Sequence, residues 1–166
     1  MSYSISKKKI EKTALHTAVL NRNINIIKIC LEDPNIDINI PYIEYFISRE
    51  SKFEELFQKD KQDEIQMQRT ALYLAVVEND IDIVHLLLNH PKIDINVKSV
   101  LMPEPFLSIQ SRTVLHEAVQ KKQIEIIKLL LQQQEIDVKA LDENQKKPID
   151  YTKDEKIKEL FKNIQK

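Results

Sequence analysis

Two histidines recur in one sequence context. His16 follows Thr13 by three residues and His116 follows Thr113 by three, each with an alanine two residues later. Tyr73 holds the same place after Thr70. Imidazoles can ligate a metal or move protons, but neither role would recur once per structural unit with tyrosine standing in. The pattern therefore reads as structural rather than chemical. His85 and His90 lie five apart with no clear third ligand, which is a weak basis for zinc. Cys30 is the single cysteine, set on an apolar helical face, and reads as a small core residue. The chain holds no glycine. That removes the phosphate-cradling loops and the nucleophile elbow, both of which need glycine for close backbone approach. Acidic residues are dispersed among lysines, as on a solvated helix face. No catalytic constellation, metal set or cofactor site is expected, and an enzyme is not.

One arrangement of charge remains. The residue before each threonine-like position is cationic: Lys12, Arg69, Arg112 and Lys146. What positions these four is a repeated pattern. Thr13-Ala14-Leu15-His16-Thr17-Ala18-Val19 returns as Thr70-Ala71-Leu72-Tyr73-Leu74-Ala75-Val76 and as Thr113-Val114-Leu115-His116-Glu117-Ala118-Val119. Each is followed by an apolar helical run, at Ile24–Leu31, Ile81–Leu88 and Ile124–Leu131. Thr13 suits a helix N-cap, because its hydroxyl can accept a backbone N–H two or three residues on. The wide apolar faces of the second helices suggest burial on two sides, as in a stack. Asp33-Pro34-Asn35 stops the first of them. Ile36-Asp37-Ile38-Asn39, Ile93-Asp94-Ile95-Asn96 and Ile136-Asp137-Val138-Lys139 alternate and read as short extended segments.

These three copies, with a faded fourth from Lys147-Pro148-Ile149-Asp150-Tyr151, resemble the ankyrin repeat, a unit of about 33 residues opening on T-P-L-H-x-A. The resemblance implies an all-α fold: an ankyrin-type solenoid of helix-turn-helix repeats with β-hairpin-like fingers. One domain spans 1–166, with repeats at about 11–40, 68–97 and 111–140, a C-terminal cap at 146–166, and insertions at about 41–67 and 98–110. Lacking glycine, every helix must end without the usual glycine cap, and Asn89-His90-Pro91-Lys92 and Gln132-Gln133-Gln134-Glu135 replace the family's glycine at the corner. Residues 157, 160, 161 and 164 mark the inner face of a last, capping helix.

Solenoid insertions map to loops on one face, often the binding face. The first holds five of the ten aromatics, Tyr42, Tyr45, Phe46, Phe53 and Phe57, and its spacing predicts helix across much of 42–58, then a polar stretch to Gln68. These side chains either pack on the solenoid or present a partner surface, since aromatics dominate interface hot spots. The second insertion carries Met102-Pro103-Glu104-Pro105-Phe106-Leu107, read as a stiff loop rather than a polyproline ligand.

In the family, the cation position faces a concave groove, together with Leu20, Asn21, Val77, Glu78, Gln120 and Lys121. The cations either recognise an acidic, partly apolar partner or pair with finger carboxylates such as Asp37 and Asp94. The expected function is a non-enzymatic protein-protein interaction module, a scaffold or adaptor. Its partner would be held by Arg69, Arg112, Val77, Glu78, Gln120 and Lys121, with Tyr45, Phe46, Phe53 and Phe57 from the insertion. The alternatives are self-association into a homo-oligomer and service as a regulatory or targeting segment of a larger protein. Nucleic-acid binding stands behind these: 25 Lys and Arg against 26 Asp and Glu leave a net charge of −1, and Lys7-Lys8-Lys9 reads as a solvated run. No apolar run reaches the roughly 18 residues of a membrane span. With no secretory h-region in residues 1–10, the expected location is the cytoplasm, with the nucleus as second choice.

Overall fold

The computed structural model describes residues 5–48, 64–101 and 110–164. Three helix pairs run in series: α1 (Ala14–Leu20) with α2 (Ile24–Glu32), α3 (Ala71–Val77) with α4 (Ile81–Leu88), and α5 (Val114–Gln120) with α6 (Ile124–Leu131). First helix packs on first helix and second on second, so the pairs form a stack. A 3-10 turn (Pro148–Tyr151) takes the place of a fourth first helix, and α7 (Glu155–Lys162) closes the stack against α6. Ile157 and Phe161 of α7 are buried while Lys156, Glu159 and Lys162 face water, as a cap requires.

The expected caps are present. Thr13, Thr70 and Thr113 are the N-caps of α1, α3 and α5. Ala18, Ala75 and Ala118 are all buried where first helices meet, and their small side chains permit close approach. Each first helix then ends in a left-handed residue, with φ of 53° at Arg22, 55° at Asn79 and 56° at Lys122. Backbone bonds from Arg22 to Val19 (3.0 Å) and from Asn23 to Ala18 (2.9 Å) complete a Schellman motif, repeated in the next two pairs. Thus the chain keeps the left-handed turn without glycine, at about 1–2 kcal/mol for a non-glycine residue and less for asparagine. It falls after the first helix, not at the corner after the second where the sequence placed the missing glycine.

Two further expectations are corrected. Residues 36–39, 93–96 and 136–139 are turns rather than extended strands. The Asp37 carboxylate accepts the Asn39 N–H (3.1 Å), Asp94 that of Asn96 (2.9 Å) and Asp137 that of Lys139 (2.9 Å). These short side chains fold the backbone onto themselves. The expected helix across much of 42–58 is also overturned over its first part, because β2 (Tyr42–Ser48) is a strand, while residues 49–58 lie outside the described residues. Its aromatic and β-branched residues suit a pleated surface, and Tyr42 and Glu44, two apart, are both buried on one face. Within the supposed polar stretch, β3 (Glu64–Arg69) pairs with it. The lead-in is β1 (Ile5–Glu11), and β4 (Ser99–Leu101) with β5 (Gln110–Arg112) bracket the second insertion. All five form one antiparallel sheet in the order β1-β2-β3-β4-β5. Phe53, Phe57 and residues 102–107 lie outside the described residues.

An asparagine ladder fastens one repeat to the next. The Asn39 amide donates to the Lys92 carbonyl (2.8 Å) and accepts the Asp94 N–H (2.9 Å). Asn96 does the same with Glu135 (2.7 Å) and Asp137 (2.9 Å).

Candidate partner-binding groove

The finger bases and first-helix ends bring the predicted groove residues together. Leu20, Val77 and Gln120 are the last residues of α1, α3 and α5, and Asn21, Glu78 and Lys121 are their C-caps. Because those helices pack side by side, the six positions form one row. Leu20, Asn21, Glu78, Gln120 and Lys121 are exposed and Val77 is half-buried. Neighbouring turns are tied together: Arg22 donates to the Glu78 carbonyl (3.3 Å) and pairs with Asp80 (3.1 Å), while Lys121 donates to the Val77 carbonyl (3.1 Å) and Gln123 to that of Val76 (2.8 Å).

Behind the row, a tyrosine, a carboxylate and a cation meet at each repeat junction. Tyr42 and Arg69 are register partners at the base of the β2–β3 hairpin. The guanidinium lies 5.2 Å from the Tyr42 ring centre and 2.5 Å from a Glu44 oxygen, and the Tyr42 hydroxyl donates to the other (2.6 Å). Burial, then Glu44, pushes the Tyr42 phenol up to about 12, so it remains a donor at ordinary pH. At the middle junction the Tyr73 hydroxyl donates to Glu117 (2.8 Å), which also faces Lys121 (3.4 Å).

The third junction is the most enclosed. Arg112 is 6% exposed, with its guanidinium 4.5 Å from the Tyr151 ring centre. It donates to the Tyr151 hydroxyl (3.1 Å) and to Gln120, and lies 3.8 Å from Asp142. Asp142 accepts the Tyr151 hydroxyl and the N–H groups of Asn144 (2.8 Å) and Lys146 (2.9 Å). Burial alone would raise its pKa, but these hydrogen bonds outweigh it and hold the carboxyl below the usual range. Of the predicted stripe, then, Arg69 and Arg112 pair internally, with Glu44 and Asp142, while Lys12 and Lys146 are exposed. Asp37 and Asp94, the carboxylates the sequence suggested as partners, close the corner turns instead. Tyr42, Tyr151, Glu44 and Asp142 were missed as members of these junctions because no local spacing marks them. Tyr45 and Phe46 lie on the backbone of β2 opposite Lys9 and Lys7 of β1.

The repeat histidines are buried and structural. His16 Nδ1 accepts the Thr13 N–H (3.2 Å), while the Thr13 hydroxyl accepts the His16 N–H (3.4 Å), a reciprocal capping box. His116 repeats this with Thr113, and its Nε2 meets the Lys146 carbonyl (3.1 Å). Nδ1 as acceptor requires the neutral ring. Desolvation lowers His16 to about 4, against a smaller opposing effect of the Ile40 carbonyl, and lowers His116 as well. As pH falls below about 6.5, the unfolded chain takes up the proton first. Stability contributed by the neutral ring is whole above that pH and is lost as pH falls to about 4. The melting temperature should drop across this window, by up to about 3 kcal/mol of stability from His16 alone. A His16→Gln chain, with no proton to gain there, should show a shallower dependence in the same pH-resolved melts.

Other candidates for chemistry are occupied by structure. His90 Nδ1 accepts the Lys92 N–H (3.2 Å) and His85 meets the Asn89 amide (3.2 Å). Cys30 is half-buried against the core. Among the described residues, no group of three or more His, Cys, Asp or Glu is placed to hold a metal, and no helix is long and apolar enough to cross a membrane.

Comparison with known proteins agrees with this architecture. The family described as "Ankyrin repeats (3 copies)" matches residues 3–99, and "Ankyrin repeats (many copies)" matches residues 71–131. Among solved structures, the ankyrin repeat domain of Bcl-3, a unique member of the IkappaB protein family, is similar with a TM-score of 0.64 and 18% identity. That alignment covers 91% of this chain and 51% of the other, so the chain spans about half of that structure's length. Comparison with curated proteins gives no match. Ankyrin repeats are general protein-protein interaction modules. With its three capped helix pairs, finger sheet and family match over more than half its length, this chain belongs to the ankyrin repeat family.

Proposed function

We propose that this chain is a non-enzymatic scaffold or adaptor that holds a partner protein along the row of first-helix ends and the adjoining fingers. The observation carrying this reading is the row Leu20-Asn21, Val77-Glu78 and Gln120-Lys121, exposed but for half-buried Val77 and backed by the Tyr42–Glu44–Arg69 and Tyr151–Asp142–Arg112 junctions and the buried Tyr73–Glu117 pair. Gln120, bonded to Arg112, and Lys121, bonded to the Val77 carbonyl and paired with Glu117, lose less freedom on binding, so their contact converts more fully into affinity. Val77, Glu78, Gln120 and Lys121 would touch the partner. Arg69 and Arg112 would set the finger bases, and Tyr45, Phe46, Phe53 and Phe57 would extend the surface along the first finger. With both arginines internally paired, recognition rests on shape and mixed polarity more than on net positive charge.

The test is affinity capture from source-cell extract with three chains: the original, a Val77→Arg/Lys121→Glu variant, and a control changed at exposed Lys156→Glu on the cap. Circular dichroism confirms that all three fold. A specific protein held by the original and the control, but reduced at least tenfold with the groove variant, supports the reading. Equal retention by all three would remove the groove from consideration.

A further inference from the structure

The corners after the second helices are alike in backbone and different in side chain. Leu31-Glu32-Asp33-Pro34-Asn35-Ile36 returns as Leu88-Asn89-His90-Pro91-Lys92-Ile93 and as Leu131-Gln132-Gln133-Gln134-Glu135-Ile136. The asparagine ladder fixes this alignment. Asn39 donates to the Lys92 carbonyl and Asn96 to the Glu135 carbonyl, so Lys92 and Glu135 hold one place at successive junctions. At the first junction the Lys92 side chain crosses to the preceding corner, where its ammonium donates to the Pro34 carbonyl (2.7 Å). At the second, a glutamate stands where that lysine stood. A carboxylate cannot donate to the equivalent Pro91 carbonyl. Among the described residues, nothing donates to that carbonyl and no cation pairs with Glu135.

A cavity of about 290 Å³ opens at this corner. Buried Leu88 and Ile95, with half-buried Ile93, form its apolar side, and His90, Gln133 and Glu135 its polar side. Two of the polar groups are committed. His90 Nδ1 accepts the Lys92 N–H (3.2 Å), and the Gln133 amide donates to the Leu129 carbonyl (3.2 Å). What remains is an apolar wall beside two acceptors, one of them charged. That is the complement of a lysine side chain, a four-carbon stem carrying one positive charge and three donors. Such stems lie along apolar surface while the ammonium keeps polar partners.

We infer that this corner cavity receives a lysine side chain presented by a partner protein. Its stem lies on Leu88, Ile93 and Ile95, and its ammonium meets the Pro91 carbonyl and the Glu135 carboxylate. Lys92 makes half of this contact within the chain, one repeat earlier. The cavity follows the second helices, apart from the row of first-helix ends, so it stands independently of the groove.

The test is backbone amide NMR on the full chain, titrated with acetyl-Ala-Lys-Ala-amide at millimolar concentration. The Ile93 and Glu135 N–H signals should move and saturate. Acetylating the peptide's lysine removes its charge and two donors, and should weaken binding at least fivefold, as should Glu135→Gln. The Val77→Arg/Lys121→Glu groove variant should bind as the original does. Glu135→Lys supplies the occupant from within, as Lys92 does at the first corner. It should abolish the titration and raise the melting temperature by about 2–4 °C. Glu135 is exposed, so neither change threatens folding. No movement of these signals, or binding indifferent to acetylation and to Glu135→Gln, would overturn the inference. Movement of the same signals when the chain is concentrated without peptide would overturn it in favour of a lysine from a second copy.

Discussion

Replacing Arg112 with alanine should lower stability by about 3 kcal/mol, because a buried carboxylate then loses its cation. For a chain of this length that corresponds to a fall of roughly 6–12 °C in melting temperature. The side chain is 6% exposed and joins three elements: Gln120 at the end of α5, Tyr151 in the 3-10 turn, and Asp142 in the loop between. The 3.8 Å separation from Asp142 makes that contact electrostatic rather than a hydrogen bond. Asp142 keeps the N–H groups of Asn144 and Lys146 after the substitution, which holds the cost near the lower end for a broken buried pair. A double-mutant cycle with Asp142→Asn separates the terms. If the pair is the source, the second change should recover a large part of the loss. Additive losses would show instead that Arg112 acts through its stacking on Tyr151. Thermal and urea melts of the four chains decide between them.

Ile83→Ala should cost 2–5 kcal/mol, and Ile26→Ala less than about 1 kcal/mol. The two isoleucines occupy the same place in their helices, so propensity and transfer chemistry match. What differs is cover: Ile83 is 0% exposed and Ile26 is 43% exposed. The first substitution leaves a cavity between stacked pairs, while the second trims a side chain already half in water. Urea midpoints at constant slope would measure both. Equal losses would mean that the exposed flank is covered in solution.

The sequence by itself determined the helix pairs, their caps and their stacking, because each is set by local chemistry repeated in register. Threonine three residues before histidine or tyrosine marks an N-cap wherever it stands, and the apolar spacing of Ile24–Leu31 or Ile124–Leu131 suits only a helix with a buried face. The capping helix was legible for the same reason, with Ile157 and Phe161 inward among lysines and glutamates. Tertiary structure alone decided the fingers. Ile43, Phe46 and Ile47 satisfy helical spacing, yet strand neighbours on both sides supply backbone partners that an isolated segment lacks, and β2 forms. It also decided which charges stay free. Arg69 reads as a groove cation until strand pairing sets Tyr42 and Glu44 beside it, 25 and more residues away along the chain. Arg112 reads likewise until the 3-10 turn folds Tyr151 over it. Local patterns encode the backbone of each unit, but the partners of a charge are chosen by whichever elements the fold brings near.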